Sequence, residues 1–150
     1  MNIKEYIKEQ RLITDGAMGT YYEEKYSEDT VIAEKENLKN PEQIKEIHLE
    51  YLRAGARLIR TNTFAANTMF LADMQEVKET VRAGYEIAKE AVTAFQAENG
   101  KEIPVFIGAD LGPIYDLDHQ DYDNVLQEYK EICDTFLSCG ADCFVFETQS

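Results

Sequence analysis

The chain has 150 residues, with 15 Lys+Arg against 29 Asp+Glu and a formal net charge of −14. At 44% hydrophobic and 29% charged it can build one domain with a sizeable core, which excludes a wholly disordered chain. The acidity argues against a surface for nucleic acid or for anionic membrane, since both are held mainly by Lys and Arg.

No apolar run approaches the roughly 20 residues that span a bilayer. The first ten residues alternate charge with apolar side chains and form no continuous signal-peptide core. Cys133, Cys139 and Cys143 are an odd set crowded into one stretch, unlike a disulfide framework. They read as buried thiols in a reducing cytoplasm.

The predicted elements begin with a short amphipathic helix over residues 2–10, with Ile3, Tyr6 and Ile7 on one side. Leu12-Ile13-Thr14 reads as a strand that runs into the loop Asp15-Gly16-Ala17-Met18-Gly19-Thr20. Residues 21–39 are acidic and irregular and give no clear element; the stretch from Tyr22 to Asp29 reads as solvated surface. Asn40-Pro41-Glu42-Gln43 is a helix start, with Asn40 as N-cap, Pro41 at N1 and Gln43 completing a box-like arrangement. Ile44, Ile47, Tyr51 and Leu52 share a face of that helix, His48 is expected to be partly buried on it, and Gly55 closes it.

Leu58-Ile59-Arg60-Thr61 is the second strand, ending in Asn62-Thr63-Phe64. Asp73 followed by Glu76 caps a long helix over about residues 74–98, with the stripe Val77, Val81, Tyr85, Ala88, Val92 and Phe95. A third strand covers Ile103–Ile107 and runs into a loop at Gly108-Ala109-Asp110-Leu111-Gly112-Pro113. A fourth helix spans about 121–138, with Tyr122, Val125, Leu126, Tyr129, Ile132, Cys133 and Phe136 on one face. Cys143-Phe144-Val145-Phe146 is the fourth strand, followed by Glu147-Thr148-Gln149-Ser150.

The order is β-α-β-α-β-α-β, which implies a parallel sheet covered by helices. An internal echo supports a repeating unit: the segment from Ala54 to Thr63 lines up with that from Cys139 to Thr148. The offset spans two β/α units, so one unit averages about 42 residues.

In such sheets ligands sit at the C-terminal strand ends. Those ends here are Asp15–Gly19, Thr61–Thr63, Gly108–Pro113 and Glu147-Thr148. Asp15 and Glu147 suit an ammonium, while the backbone N–H groups of Gly16, Ala17 and Met18 suit a carboxylate. Together they fit a free α-amino acid, although carboxylates at strand ends also simply cap loops. Asp110 either lines the same pocket or organises its turn. The glycines at 16 and 19 are not a nucleotide loop, because neither a Walker lysine nor a G-x-G-x-x-G accompanies them.

These segments carry a resemblance. Asp-Gly-Ala-Met-Gly-Thr after the first strand, Ala-Gly-Ala-x-Leu-Ile-x-Thr-Asn-Thr-Phe around the second, Gly-x-x-Gly-Pro after the third and Phe-Glu-Thr at the fourth resemble the homocysteine S-methyltransferase family. That family includes the homocysteine-binding modules of cobalamin-dependent methionine synthases and betaine–homocysteine methyltransferase. The overall look is nearest to bacterial enzymes that fuse this module to a methylenetetrahydrofolate reductase. The resemblance implies a zinc-dependent (β/α)₈ TIM barrel that transfers a methyl group to zinc-bound homocysteine and makes methionine. It implies that Asp15 and Glu147 meet the amino group of homocysteine. The amides of Gly16, Ala17 and Met18 then meet its carboxylate, and Asn62 and Thr63 line the mouth.

The family's zinc ligands are three cysteines in segments downstream of Phe-Glu-Thr, so no metal ligand and no catalytic residue is assigned here. Cys133, Cys139 and Cys143 fit neither those positions nor paired zinc knuckles. His119, in an acidic loop, is read as solvated rather than as a cation contact. A typical barrel needs about 250 residues or more, so residues 1–150 are expected to be the N-terminal half of a homocysteine-binding barrel. That half is expected to bind homocysteine weakly if at all, to be inactive alone, and to self-associate through its open strand edges. The methyl donor, taken as methyltetrahydrofolate or methylcobalamin, is not fixed by these motifs, because methyltetrahydrofolate, betaine and S-methylmethionine readings all share this half. The rival is a complete flavodoxin-like α/β binding module without catalysis.

Overall fold

Helices that end on glycine feed each apolar strand, and this alternation sets the architecture. The computed structural model describes residues 2–26, 32–100, 102–115 and 122–149. Its elements are α1 (Ile3–Glu9), α2 (Gly19–Tyr26), a 3₁₀ turn (Ala33–Lys35), α3 (Glu36–Lys39), α4 (Pro41–Ala54), β1 (Leu58–Arg60), α5 (Met74–Asn99), β2 (Phe106–Leu111), α6 (Tyr122–Ser138) and β3 (Phe144–Phe146). Gly55 and Gly100 end α4 and α5 in the left-handed region, with φ of 113° and 62°, where a Cβ would be strained.

The strands are parallel and each lies beside its predecessor in the chain. β1 pairs with β2 from Leu58↔Phe106 to Arg60↔Gly108, and β2 pairs with β3 from Ala109↔Phe144 to Leu111↔Phe146. A doubly wound flavodoxin-like sheet reverses its strand order at a switch point. The described strands show no reversal. Their sequential order is that of a (β/α)₈ barrel.

The expected first strand at Leu12–Thr14 is reduced to one parallel bridge between Thr14 and Leu58. Among the described residues it has a partner on one side only. Arg57 and Leu58 both donate to the Ile13 carbonyl, at 2.8 and 3.2 Å, and Asp15 donates to the Leu58 carbonyl at 3.0 Å. The third strand is displaced toward the C-terminus. Pro104 has no N–H to give a ladder, and the Ile103 N–H donates to Gln96 Oε1 at 2.8 Å instead. Gly108–Leu111, expected as loop, lies inside β2 because β1 and β3 flank it on both sides.

Residues 21–39 form α2, the 3₁₀ turn and α3, which periodicity did not reveal. Tertiary bonds hold them: Tyr22 donates to Glu36 at 3.2 Å and also to Gln43. α4 starts where expected, but Asn40 makes no side-chain cap. Its Nδ2 donates to Glu36 at 2.6 Å, and Gln43 is engaged by Tyr22. At α5 the Asp73 carboxylate accepts from the Glu76 N–H, while the Glu76 side chain accepts from Ala72. His119 and the expected helix start at Asp121 lie outside the described residues, as does the end of the acidic stretch at Ser27–Asp29.

One sheet face carries the core. Ile59, Ala109 and Leu111 pack beneath α4, α5 and α6 with Val77, Val81, Ala88, Ile132 and Phe136. Phe136 stands edge-on to Tyr85 at 6.1 Å and to Phe144 at 6.2 Å, and each such ring contributes about 1.5–3 kcal/mol by burial. The register puts Leu58, Arg60, Gly108, Asp110 and Val145 on the opposite, inner face. α1 closes its lower end, with Tyr6 edge-on to Phe106 at 5.4 Å. The α6 stripe is only half covered: Ile132 and Phe136 are buried, whereas Tyr122 and Leu126 are exposed.

Candidate functional site

The C-terminal strand ends converge on one open cleft of about 510 Å³. Its wall includes Asp15, Gly16, Ala17, Met18, Asn62, Thr63 and Glu147, all expected from the sequence, together with Glu34, Arg60 and Asp110. Asp15 leaves the edge segment, Arg60 ends β1, Asp110 lies in β2 and Glu147 follows β3. The Glu147 N–H donates to the Leu111 carbonyl at 3.0 Å, which keeps it in line with the sheet. Thr148 then takes φ 54°, a costly conformation for a residue with a Cβ, as the chain turns at the cleft rim.

The loop after Asp15 is shaped by Tyr51. The Tyr51 hydroxyl donates to the Ala17 carbonyl at 2.7 Å, and a Cβ at Gly16 would sit 2.8 Å from the Tyr51 hydroxyl oxygen. The backbone N–H groups of Gly16, Ala17 and Met18 donate to no other described residue. They stand just before α2, whose first residues line the cleft. Free amides at a helix start attract anions.

Asn62 and Thr63 face a buried network as well as the cleft. Asn62 Nδ2 donates to the Ala33 carbonyl and to Asn37 Oδ1, each at 2.9 Å. The Thr63 hydroxyl donates to the Asp110 carbonyl at 2.7 Å, and Thr61 Oγ1 accepts from the Asp110 N–H at 3.0 Å. Asn62 Nδ2 and the Thr63 hydroxyl are thus spent on fixing α3 and β2 at the mouth.

The sequence reading missed Arg60. Its Nε donates to Asp15 Oδ1 and its backbone N–H to Asp15 Oδ2, both at 2.8 Å. One Nη donates to Glu147 and the other to the Gly16 carbonyl at 3.0 Å. The guanidinium therefore already joins the two carboxylates expected to receive a ligand's amino group. The signal was present: an arginine at the end of an otherwise apolar strand is seldom there without a partner. Burial raises the Asp15 carboxyl against the pull of Arg60.

Asp110 is the third carboxyl. It is 4% exposed, and its Oδ1 has no hydrogen-bond partner among the described residues. Burial, and then the neighbouring Glu147 charge, push it well above the usual carboxylate range. Of its two open readings, the structure puts it on the cleft wall within β2. Glu34 is also buried beside the cleft, and its carboxylate accepts from the Ala65 N–H at 2.8 Å.

The donor set does not suit a transition metal. Among the described residues no three His, Cys, Asp or Glu side chains converge as ligands. Cys133 and Cys139 pack against the core under α6. Burial raises the Cys133 and Cys143 thiols, the reverse of what a metal thiolate needs. No described helix is long and apolar enough to cross a membrane.

The family described as homocysteine S-methyltransferase matches residues 12–150. A homocysteine S-methyltransferase of Escherichia coli (strain K12) is 32% identical over 112 residues, covering 71% of this chain and 36% of that protein. A methionine synthase of Mycobacterium leprae is 27% identical over 161 aligned positions, covering 98% of this chain and 13% of that protein. The oxidized form of the Escherichia coli homocysteine methyltransferase MmuM superposes with a TM-score of 0.81 at 25% identity, over 95% of this chain and 55% of that chain. Its metallated form gives 0.78 over the same shares. The chain thus spans about half of this solved relative and less of the others.

Proposed function

The chain belongs to the homocysteine S-methyltransferase family, and from that premise we propose that residues 1–150 form the amino-acid-recognition half of a homocysteine-binding (β/α)₈ barrel. The carboxylate cluster that contains Asp15 and Glu147 receives the α-ammonium of homocysteine. The free N–H groups of Gly16, Ala17 and Met18 receive its α-carboxylate, and Asn62 and Thr63 line the same mouth. One observation carries this reading: charged acceptors and backbone donors that have no partner among the described residues line a single cleft, which suits the two charges of a zwitterion.

The reaction assigned to the intact family fold is methyl transfer to the homocysteine sulfur, giving methionine. That step needs a thiolate, which the family secures with zinc. Among the described residues no set of side chains fits this metal, and the role proposed for residues 1–150 is recognition. Zinc and the methyl donor, methyltetrahydrofolate or methylcobalamin, belong to the intact fold. Unpaired Cys133, Cys139 and Cys143 support a cytoplasmic setting.

Calorimetric titration of the 150-residue chain with L-homocysteine tests the reading. A dissociation constant on the order of millimolar is expected, weakened several-fold by Glu147→Gln. Methionine formed by this chain alone from homocysteine, zinc and a methyl donor would contradict a role limited to recognition.

A further inference from the structure

Arg60 is the only Lys or Arg among the described residues that line the strand-end cleft, against five carboxyls: Asp15, Glu23, Glu34, Asp110 and Glu147. Its Nε–H donates to Asp15 Oδ1 at 2.8 Å, and one Nη donates to Glu147. The other Nη reaches the carbonyls of Asp15 and Gly16, at 3.3 and 3.0 Å. The guanidinium thus sits between the same two carboxylates that the amino-acid reading gives to a ligand's ammonium. A ligand cation and this arginine head need the same oxygens.

The parts of this contact differ in how firmly they are held. Asp15 Oδ2 accepts from the Arg60 backbone N–H at 2.8 Å, a bond that stays wherever the side chain goes. The stem crosses the inner face over Gly108, with Arg60 Cγ 3.7 Å from where a Cβ on that glycine would be. The head lies toward the open side: the Arg60 side chain is 24% exposed and that of Glu147 27%, against 4% for Asp15. A flexible stem with its root fixed in the strand lets the head leave without unfolding β1.

Without a cation, the empty cleft would hold Asp15 and Glu147 as neighbouring charges, one of them nearly closed to solvent, and like charges so placed repel. Burial already raises the Asp15 carboxyl. Arg60 relieves that repulsion while no ligand is bound. The same charge-assisted bonds are given up when a cationic ligand enters.

We propose that Arg60 is a resident counter-ion that competes with the ligand: an amino acid binds by exchanging the guanidinium for its own ammonium, and the side chain at position 60 sets the affinity. The inference rests on the amino-acid reading of the cleft and adds to it a specificity-determining residue. A ligand without an ammonium cannot drive the exchange and leaves Arg60 in place. The exchange therefore lowers affinity for the amino acid and not for its desamino analogue.

The test titrates L-homocysteine and its desamino analogue 4-mercaptobutanoate into the 150-residue chain and into Arg60→Gln, which keeps a hydrogen-bonding side chain and removes the charge. The substitution is expected to strengthen homocysteine by about tenfold, the scale of one charge-assisted contact no longer broken, and not to strengthen the analogue. It should lower the melting temperature of the free chain, and homocysteine should raise that temperature by more than it does for the unsubstituted chain. Homocysteine that binds Arg60→Gln as before or more weakly overturns the proposal, because a purely structural arginine gives that result. A second readout needs no variant. In the unsubstituted chain the Arg60 Nε–H resonance should shift and exchange faster with water under saturating homocysteine, while 4-mercaptobutanoate leaves it in place. A resonance that homocysteine leaves unmoved overturns the proposal too. If both chains bind homocysteine no better than the analogue, the ammonium reading itself fails and the exchange falls with it. That result is distinct from a preference for homocysteine that Arg60→Gln does not strengthen.

Discussion

A methyl group at Gly112 would lie 2.3 Å from the Phe64 carbonyl oxygen and 2.9 Å from its ring. Backbone cannot step aside as a flexible side-chain tip can. Gly112→Ala is therefore expected to cost about 3 kcal/mol, read as a shift in urea midpoint with an unchanged slope. His48 offers a second test at this scale. It is fully buried, its ring nitrogens have no partner among the described residues, and burial pulls its pKa down to about 4. The unfolded ring takes up a proton near 6.5, so acid favours unfolding between that value and about 4. From pH 7 to pH 5 this should remove about 2 kcal/mol. Asp110 works with the opposite sign: a carboxyl raised in the fold contributes stability at low pH that fades as pH rises. The difference between the chain and His48→Leu, measured at both pH values, isolates the histidine. Persistence of the full pH dependence in that variant would contradict the assignment. The sequence had placed His48 as partly buried, because a helical wheel gives a face and not the depth of packing above it. Asp15, Glu147 and the glycine loop were legible from their motifs. Arg60 was not, since its meeting with Asp15 and Glu147 depends on strand register across far-separated segments.

Among the elements, α5 was read most fully. Its start at Asp73 and its stripe follow from local rules, and only Val92 on the stripe is less than buried. Asp73→Ala removes the one side-chain bond to the Glu76 N–H, at 2.9 Å, and should cost about 1 kcal/mol. A loss below measurement in chemical denaturation would contradict the cap. β2 was misplaced for a physical reason. Glycine and aspartate at 108 and 110 look like loop, yet a strand with partners on both sides obtains its hydrogen bonds from the sheet whatever its side chains are. α2 and α3 were invisible because their faces are set by distant bonds. Asn37, for example, donates from Nδ2 to the Asn62 carbonyl at 2.8 Å and the Thr80 carbonyl at 3.2 Å.

At the scale of the whole molecule, the barrel was legible from the repeat of β/α units and from motifs at strand ends. The sequential strand order then separates it from a doubly wound module. The repeat could not show which faces are covered. β3 is less buried than β1, and Phe146, Tyr122, Leu126 and Leu137 are all exposed on that flank. Exposed apolar flanks of this kind favour association. We propose that the 150-residue chain self-associates, with a sedimentation coefficient that rises with concentration, and that Leu126→Lys with Leu137→Lys lowers it. A concentration-independent monomer would contradict this.

Above all, we propose that the strand-end cleft recognises an α-amino acid. Amide ¹H–¹⁵N shift mapping during a titration with L-homocysteine addresses it most directly. The expected result is graded, saturable movement of Gly16, Ala17 and Met18, with Phe106 and Ile107 at the other end of β2 unmoved. Absence of movement at those three amides, or movement only at the lower end of the sheet, would contradict it.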